Sequence, residues 1–236
     1  MKNQGIHPAA CIVGEPTEMH AVVAHKGIHV FKCRLTGRAA HSSLTPDGCN
    51  AIEYAAELVT WIRGLADKLK EDGPHDEHYD VSFTSITTNQ IKGGIAGNII
   101  PDSCEFLFEC RNLPATQPHH IIEPIKQYVQ NSLLLKMKKE FVGASIEIEQ
   151  VAGVPGFESS KDAMITKLVS ALTNETAIRK VSYATEAGLF QQAGAATVIC
   201  GPGSISQAHR PNEFVLLDQL AQCEQFLRLV TKEISL

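Results

Sequence analysis

From residue 28 onward, apolar and polar side chains alternate. Phe31, Cys33 and Leu35 fall on one face and Lys32, Arg34 and Thr36 on the other, the pattern of a half-buried strand. Asp47-Gly48 supplies a turn and Asn50 an N-cap. Ile52, Ala55, Leu58, Ile62, Leu65 and Leu69 then recur at helical spacing. A charged, histidine-bearing loop over 71–80 leads to a strand near 81–88, and Gly93-Gly94 and Gly97 break the chain before the next one. There Cys104, Phe106, Phe108 and Cys110 alternate with Glu105, Leu107, Glu109 and Arg111. Pro118 opens a helix carrying Ile122, Ile125, Val129 and Leu133, and Ile146 and Ile148 alternate with Glu147 and Glu149 in a fourth strand. The order β-α-β-β-α-β predicts a ferredoxin-like α+β domain, a four-stranded antiparallel sheet with two helices on one face.

The flanks read differently. Residues 9–14 form a short buried strand stopped by Pro16. After Gly153-Val154-Pro155-Gly156 come a helix (Ile165, Leu168, Val169, Leu172), a strand near 178–183, a short helix, a strand over 196–200, and a last helix. That last helix carries Leu220, Cys223, Leu227, Val230 and Ile234. Alternating helix and strand predicts an α/β fold class. The first piece is too small to be a domain, and its strand needs the sheet that only the residues after 156 offer. The expected division is therefore an α/β domain from 1–26 and 153–236, interrupted by the α+β domain 27–152.

Bulk properties narrow the function classes. With 236 residues, 44% hydrophobic and 20% charged, the chain is an ordinary globular protein with ample core. A net charge of -5 weighs against nucleic acid as a partner. No apolar run is long enough to span a membrane, and Met1-Lys2-Asn3-Gln4-Gly5 does not resemble a signal peptide. The seven cysteines contain no CxxC pair and alternate with apolar residues, which predicts buried reduced thiols in a cytoplasmic protein.

Candidate chemistry concentrates in two loops. Residues 201–213, Gly-Pro-Gly-Ser-Ile-Ser-Gln-Ala-His-Arg-Pro-Asn-Glu, place His209 in a stiffened loop after an apolar strand. Cys11-Ile12-Val13-Gly14-Glu15-Pro16-Thr17 delivers a carboxylate from a strand in the same way. One histidine and one glutamate at strand ends point to a metal site without completing it, since zinc takes three or four protein ligands.

Several linked motifs then carry a resemblance. Gly14-Glu15-Pro16-Thr17, Ala24-His25-Lys26-Gly27, Gly37-Arg38-Ala39-Ala40-His41-Ser42-Ser43 and the 201–213 loop resemble the M20 metallopeptidase family, most of all its acetylornithine deacetylase branch. The resemblance runs in order over essentially the whole chain. It implies a zinc-peptidase-like catalytic domain interrupted by a lid that forms a homodimer. It also implies two Zn2+ ions (Co2+ being a substitute) and hydrolysis of a small N-acyl amino acid, N-acetylornithine to ornithine and acetate in arginine biosynthesis.

By position Glu15 and His209 match one metal ligand each on different ions, and His41 matches the histidine that polarises the scissile carbonyl in the partner's site. Asn98 and Arg111 match positions that hold the substrate carboxylate. Each has a plainer reading: His41 as a solvated loop histidine, and Arg111 as a cross-strand partner of Glu109 or Glu105. Glu186 either faces the substrate's cationic amine or caps the following helix. Gly201 and Gly203 either present N–H groups to a carboxylate or permit a tight turn. His75 and His78 in the acidic loop, and His119 and His120 at a helix start, read as surface residues.

The chain departs from the family in one respect. The family's His-x-Asp segment and Glu-Glu pair lie upstream of the Gly-Glu-Pro motif, whereas fourteen residues precede Glu15 here and none is Asp or Glu. The expectation is a C-terminal fragment whose catalytic domain is incomplete, unable to bind metal tightly or act alone unless a separate N-terminal fragment supplies the rest. The alternatives are a non-catalytic dimerising or binding protein, or an enzyme for another N-acyl substrate such as a desuccinylase or aminoacylase. An incomplete α/β half should also leave apolar faces uncovered.

Overall fold

The computed structural model describes residues 7–175, 177 and 179–235; Ile178, at the start of the strand expected near 178–183, lies outside them. The chain divides into two compact units. One takes the chain up to Gly27, Asp76–Ser82 and everything from Val154 on, and the other takes Ile28–His75 and Phe83–Gly153.

The second unit follows from its sequence pattern. Strand β3 (Gly27–Thr36) buries Phe31, Cys33 and Leu35 and turns Lys32, Arg34 and Thr36 outward. Helix α1 (Ala51–Asp72) starts where Asn50 accepts the N–H groups of Ile52 and Glu53 at 3.1 and 3.3 Å. It buries Ala51, Ala55, Leu58 and Ile62, while Ile52 stays exposed. Strand β5 (Ser85–Gly93) begins later than its apolar pattern suggests, because Asp76–Ser82 belongs to the other unit. Strand β7 (Ser103–Asn112) buries Cys104, Phe106, Phe108 and Cys110. Helix α2 (His119–Tyr128) runs through a π turn into α3 (Leu134–Glu140), and β8 (Ser145–Val154) closes the unit.

The sheet order is β5-β7-β3-β8, with the first strand between the third and the fourth, as in a ferredoxin-like domain. Strands β5 and β7 pair antiparallel around a bulge between Thr88 and Gln90. Two short strands, β4 (Ala40–His41) and β6 (Ile99–Ile100), form a separate antiparallel ribbon. The core packs Phe31 on Phe108, with ring centroids 5.1 Å apart, among Leu58, Ile125, Leu133 and Met137. Outward-facing positions carry a ladder in which Arg34 meets Glu105 at 2.9 Å and Glu149 at 3.4 Å. These ion pairs are solvated and contribute little.

In the first unit, β1 (Ala10–Val13), β2 (Val22–His25), β9 (Phe157–Glu158), β10 (Arg179–Val181) and β11 (Ala196–Ile199) make one sheet. Its order is β1-β11-β2-β10, with β9 on β2. Strand β2 is buried throughout and is separated from β3 only by Lys26, which is why its apolar run is not distinguishable as a second strand in the sequence. Helix α4 (Met164–Thr173) ends on Asn174 in the left-handed conformation, φ 54°. Helix α5 (Ala187–Gln192) and helix α6 (Leu217–Ile234) complete the unit. Helix α6 buries only Phe226, with Cys223 and Val230 partly covered; Leu217 is 80% exposed, and Leu220, Leu227 and Ile234 of the expected apolar stripe also face outward.

The loop expected over 71–80 is only partly solvated. Asp76–Ser82 crosses to the first unit, where Lys180 Nζ lies 2.8 Å from Asp76 Oδ2 and 2.5 Å from Glu158 Oε1. Tyr79 is buried there, its ring 5.8 Å from Lys26 Nζ and 5.6 Å from Lys180 Nζ. His78 is largely exposed and touches Asp76 at 2.9 Å. The sequence reading therefore assigns too much to the inserted domain by leaving 76–82 inside 27–152.

Burial works against the Asp76 carboxylate, but hydrogen bonds from Lys180 and His78 outweigh it and bring its pKa down to about 2. A depressed carboxylate stabilises the fold above its unfolded value near 3.8, and that contribution disappears as pH falls toward 2. Asp76→Asn should cost about 2 kcal/mol at neutral pH. Urea melts of wild type and variant should converge between pH 4 and pH 2; a gap independent of pH would refute the linkage. Leu58→Ala in the second unit should cost about 2–5 kcal/mol, against under about 1 for Arg34→Ala, in the same assay.

Candidate active site

Strands β1 and β11 are parallel neighbours, and Val13 pairs with Ile199 at their ends. Glu15 and Gly201 therefore leave the sheet side by side at its carboxyl edge, where open α/β sheets form ligand crevices. The two loops are clasped together. Thr17 N–H and Met19 N–H both donate to the Gly201 carbonyl (3.2 and 2.9 Å), Glu18 N–H donates to the Gly203 carbonyl (2.8 Å), and Gly201 N–H donates to Thr17 Oγ1 (3.1 Å). Gly201 is required by space: a Cβ there would lie 2.6 Å from backbone atoms of Gly14 and Glu15. Gly203 is required by conformation, with φ at +87°.

Glu15 is half-buried at the loop tip. Burial raises its pKa, the negative charge of Glu186 raises it further, and His209 acts in the opposite direction. The charges of Glu186 and His209 thus bear on Glu15 in opposite senses. His209 is exposed and left-handed (φ 60°), and its N–H donates to Glu213 Oε2 at 3.1 Å. Tyr183 donates its hydroxyl to the Pro16 carbonyl (3.4 Å), and burial followed by the charge of Glu15 pushes its pKa up to about 12.

Among the described residues no group of three or more His, Cys, Asp or Glu side chains is arranged to hold a metal ion. Glu15 and His209 supply a donor set of the right kind, one carboxylate and one imidazole, but too few ligands for either a structural or a catalytic zinc site.

Residues 23–135 match the peptidase dimerisation domain of the M20 peptidases, and the order of the motifs and the paired strand-end loops agree with that likeness. Its curated relatives include acetylornithine deacetylases. That of Pasteurella multocida is 33% identical over 217 residues, 91% of this chain and 54% of that protein. The Myxococcus xanthus enzyme is 31% identical, covering 92% and 55%. The chain spans about half the length of the curated relatives it matches. Among solved structures, aminopeptidase PepT from Bacillus cereus superposes with a TM-score of 0.78 at 17% identity, covering 100% of this chain and 60% of that one. A tripeptidase from Staphylococcus aureus superposes with 0.72 at 18% identity, covering 98% and 58%. These two likenesses establish the fold.

The remaining sequence-derived residues distribute as follows. His41 is exposed on β4, its Nδ1 2.8 Å from Ser43 Oγ and accepting the Ser43 N–H at 3.2 Å. Asn98, also exposed, precedes β6, and its carbonyl takes the Ser42 N–H at 2.9 Å, so the ribbon holds His41 and Asn98 close together. Arg111 sits on β7 with Nε 2.6 Å from Glu109 Oε1; its partner is on its own strand rather than across from it, and Glu105 is taken by Arg34 and Lys32.

Glu186 is exposed at the start of α5 and makes no side-chain cap, so the capping alternative does not describe it. The Gly203 N–H is engaged by Gln219 Oε1 at 3.3 Å and that of Gly201 by Thr17, which favours the turn reading of both glycines. All seven cysteines are free thiols, five of them buried. Among the described residues no helix is long and apolar enough to cross a membrane.

Sequence reasoning gave no role to Thr17, His25, Tyr183 or Thr185. Thr17 and His25 lie inside motifs that were visible, but their task is to bond backbone groups far away in sequence, and nothing in a linear pattern marks such partners.

Gly201→Ala should unfold the loop pair or cost several kcal/mol, about 3 by analogy with overpacking, while Gly203→Ala should cost about 1. Thermal melts check the order. Glu186→Gln should bring the Glu15 titration midpoint down but leave it above the ordinary carboxylate value, because burial, the larger cause, remains. Carboxyl carbon NMR against pH checks this, and an unmoved midpoint would show that the two carboxylates are uncoupled.

Proposed function

We propose that this chain contributes the dimerisation lid and part of the catalytic domain to an amidohydrolase that cleaves N-acyl amino acids, with N-acetylornithine as substrate. The observation that carries this reading is the placement of Glu15 and His209 on clasped loops at the carboxyl ends of two parallel strands. The identity of about a third to acetylornithine deacetylases over nine-tenths of the chain supports this choice of substrate class.

Glu15 and His209 each donate one ligand to a divalent metal centre, Zn2+ being the ion such a carboxylate and imidazole set suits. The other ligands and the general base come from polypeptide beyond these 236 residues. A metal at such a centre supplies Lewis acidity and lowers the pKa of bound water. This chain's own residues bind and orient. Glu186 faces the cationic end of the substrate. Arg111 and Asn98 hold its carboxylate, Arg111 after exchanging its Glu109 partner for the planar anion. His41, kept in one orientation by Ser43, donates a hydrogen bond to the carbonyl oxygen as negative charge develops there. The lid forms a homodimer. Cytoplasmic location and a place in arginine biosynthesis follow from the substrate.

The test is zinc content and N-acetylornithine hydrolysis by the purified chain, alone and mixed with the upstream half of an acetylornithine deacetylase. The chain alone should be dimeric in light scattering, retain less than one zinc after dialysis and show no turnover, and the complement should restore both metal and activity. In the complemented enzyme His41→Ala should lower kcat by about 10²–10³-fold. Two tightly held zinc ions and turnover by the chain alone would overturn the reading of an incomplete site. Failure of every complement would favour a non-catalytic dimerising protein.

A further inference from the structure

His25 stands in a motif to which no role has been given, and its surroundings are specific. It is 0% exposed at the end of β2, with its ring 5.5 Å from that of Phe157. Its Nδ1 lies 2.8 Å from the Lys26 carbonyl oxygen, an acceptor, so Nδ1 carries the proton. That leaves Nε2 with a lone pair, and the Thr185 N–H donates to it at 3.4 Å. Both ring nitrogens are thereby used on backbone groups, one adjacent and one 160 residues away. A histidine kept only to fill space would not need both. Burial lowers the pKa of the ring, against the opposing influence of Lys26, Thr185 and Glu186.

The consequence falls on Glu186. Thr185 is itself buried, and its Oγ1 accepts the Ala187 N–H at 3.0 Å. The amides on both sides of Glu186 are therefore fixed, one by His25 and the other by the residue His25 holds. Glu186 makes no side-chain hydrogen bond to its own helix, so its position comes from this backbone anchor. In a site closed to water, an amide released from Nε2 would have no substitute acceptor, which makes the turn sensitive to the imidazole.

We propose that His25 is a positioning residue, an imidazole in the Nδ1–H tautomer that holds the Thr185 amide and so fixes the turn that carries Glu186. It rests on the reading of Glu186 as a substrate-facing group only for its purpose. The placement itself is tested without substrate or metal, so the two can fail separately.

Three forms of the full chain decide it: wild type, His25→Asn and His25→Gln. Asparagine keeps a donor near the Nδ1 position but reaches no acceptor to Thr185, and glutamine places an oxygen near Nε2. Nitrogen NMR of wild type should show protonated Nδ1 and unprotonated Nε2. In His25→Asn the amides of Thr185 and Ala187 should exchange with solvent about tenfold faster, with β1 and β11 unchanged. In His25→Gln they should return to within about threefold of wild type. The opposite tautomer, unchanged exchange in His25→Asn, or equal acceleration across the whole sheet in both variants would overturn the proposal. If either variant fails to fold, the wild-type tautomer and a through-hydrogen-bond coupling between Thr185 N and His25 Nε2 still decide, and absence of that coupling counts against it.

Discussion

The clasp between Thr17 and Gly201 is the constraint on which the first unit's chemistry depends. Three backbone hydrogen bonds and a fourth to a threonine hydroxyl tie the loop after β1 to the loop after β11. The loops approach so closely that no side chain fits at Gly201. Glu15 and His209 are presented by these loops, and both would wander if the loops were free. The parallel pairing of β1 with β11 sets the starting points, and the clasp turns a shared sheet edge into a defined surface. Thr17 also donates to the His20 carbonyl at 2.7 Å, so one hydroxyl organises both the turn and its neighbour.

Around this clasp the unit leaves apolar surface uncovered. Helix α6 buries little of its apolar surface, and Phe214, Leu216 and Leu217 stand exposed before and at its start. Among the described residues no group of three or more His, Cys, Asp or Glu side chains is arranged to hold a metal ion. The second unit is different in kind: its sheet is covered on one face by α1, α2 and α3, and it carries a charged ladder on the other. Its hydrophobic cluster is well buried. Together the two units span about half the length of the curated relatives they match.

Legibility in the sequence followed the range of the interactions. The four strands and two helical stretches of the second unit were readable because each is set by local periodicity, and the Asn50 cap because it bonds residues two and three positions away. The loops that carry Glu15 and His209 were readable as strand ends, from the apolar runs before them. Strand β2 was not, since a buried run abutting another strand carries no boundary signal. The return of Asp76–Ser82 to the first unit was also hidden. Its anchors, Lys180 and Ser182, lie about a hundred residues further on, and a charged histidine-rich segment looks solvated until its partner is known.

What the sequence determined by itself was therefore the architecture and the likeness to the M20 peptidases, both of which depend on short-range pattern. Tertiary structure decided which alternatives hold. It gave Arg111 to Glu109, engaged the amides of Gly201 and Gly203, left the Glu186 side chain free of its helix, and brought its charge to bear on Glu15. The reason is physical. Periodicity records which side of an element is buried, whereas a hydrogen bond or a charge pair is chosen by distance in space, which the linear order does not contain.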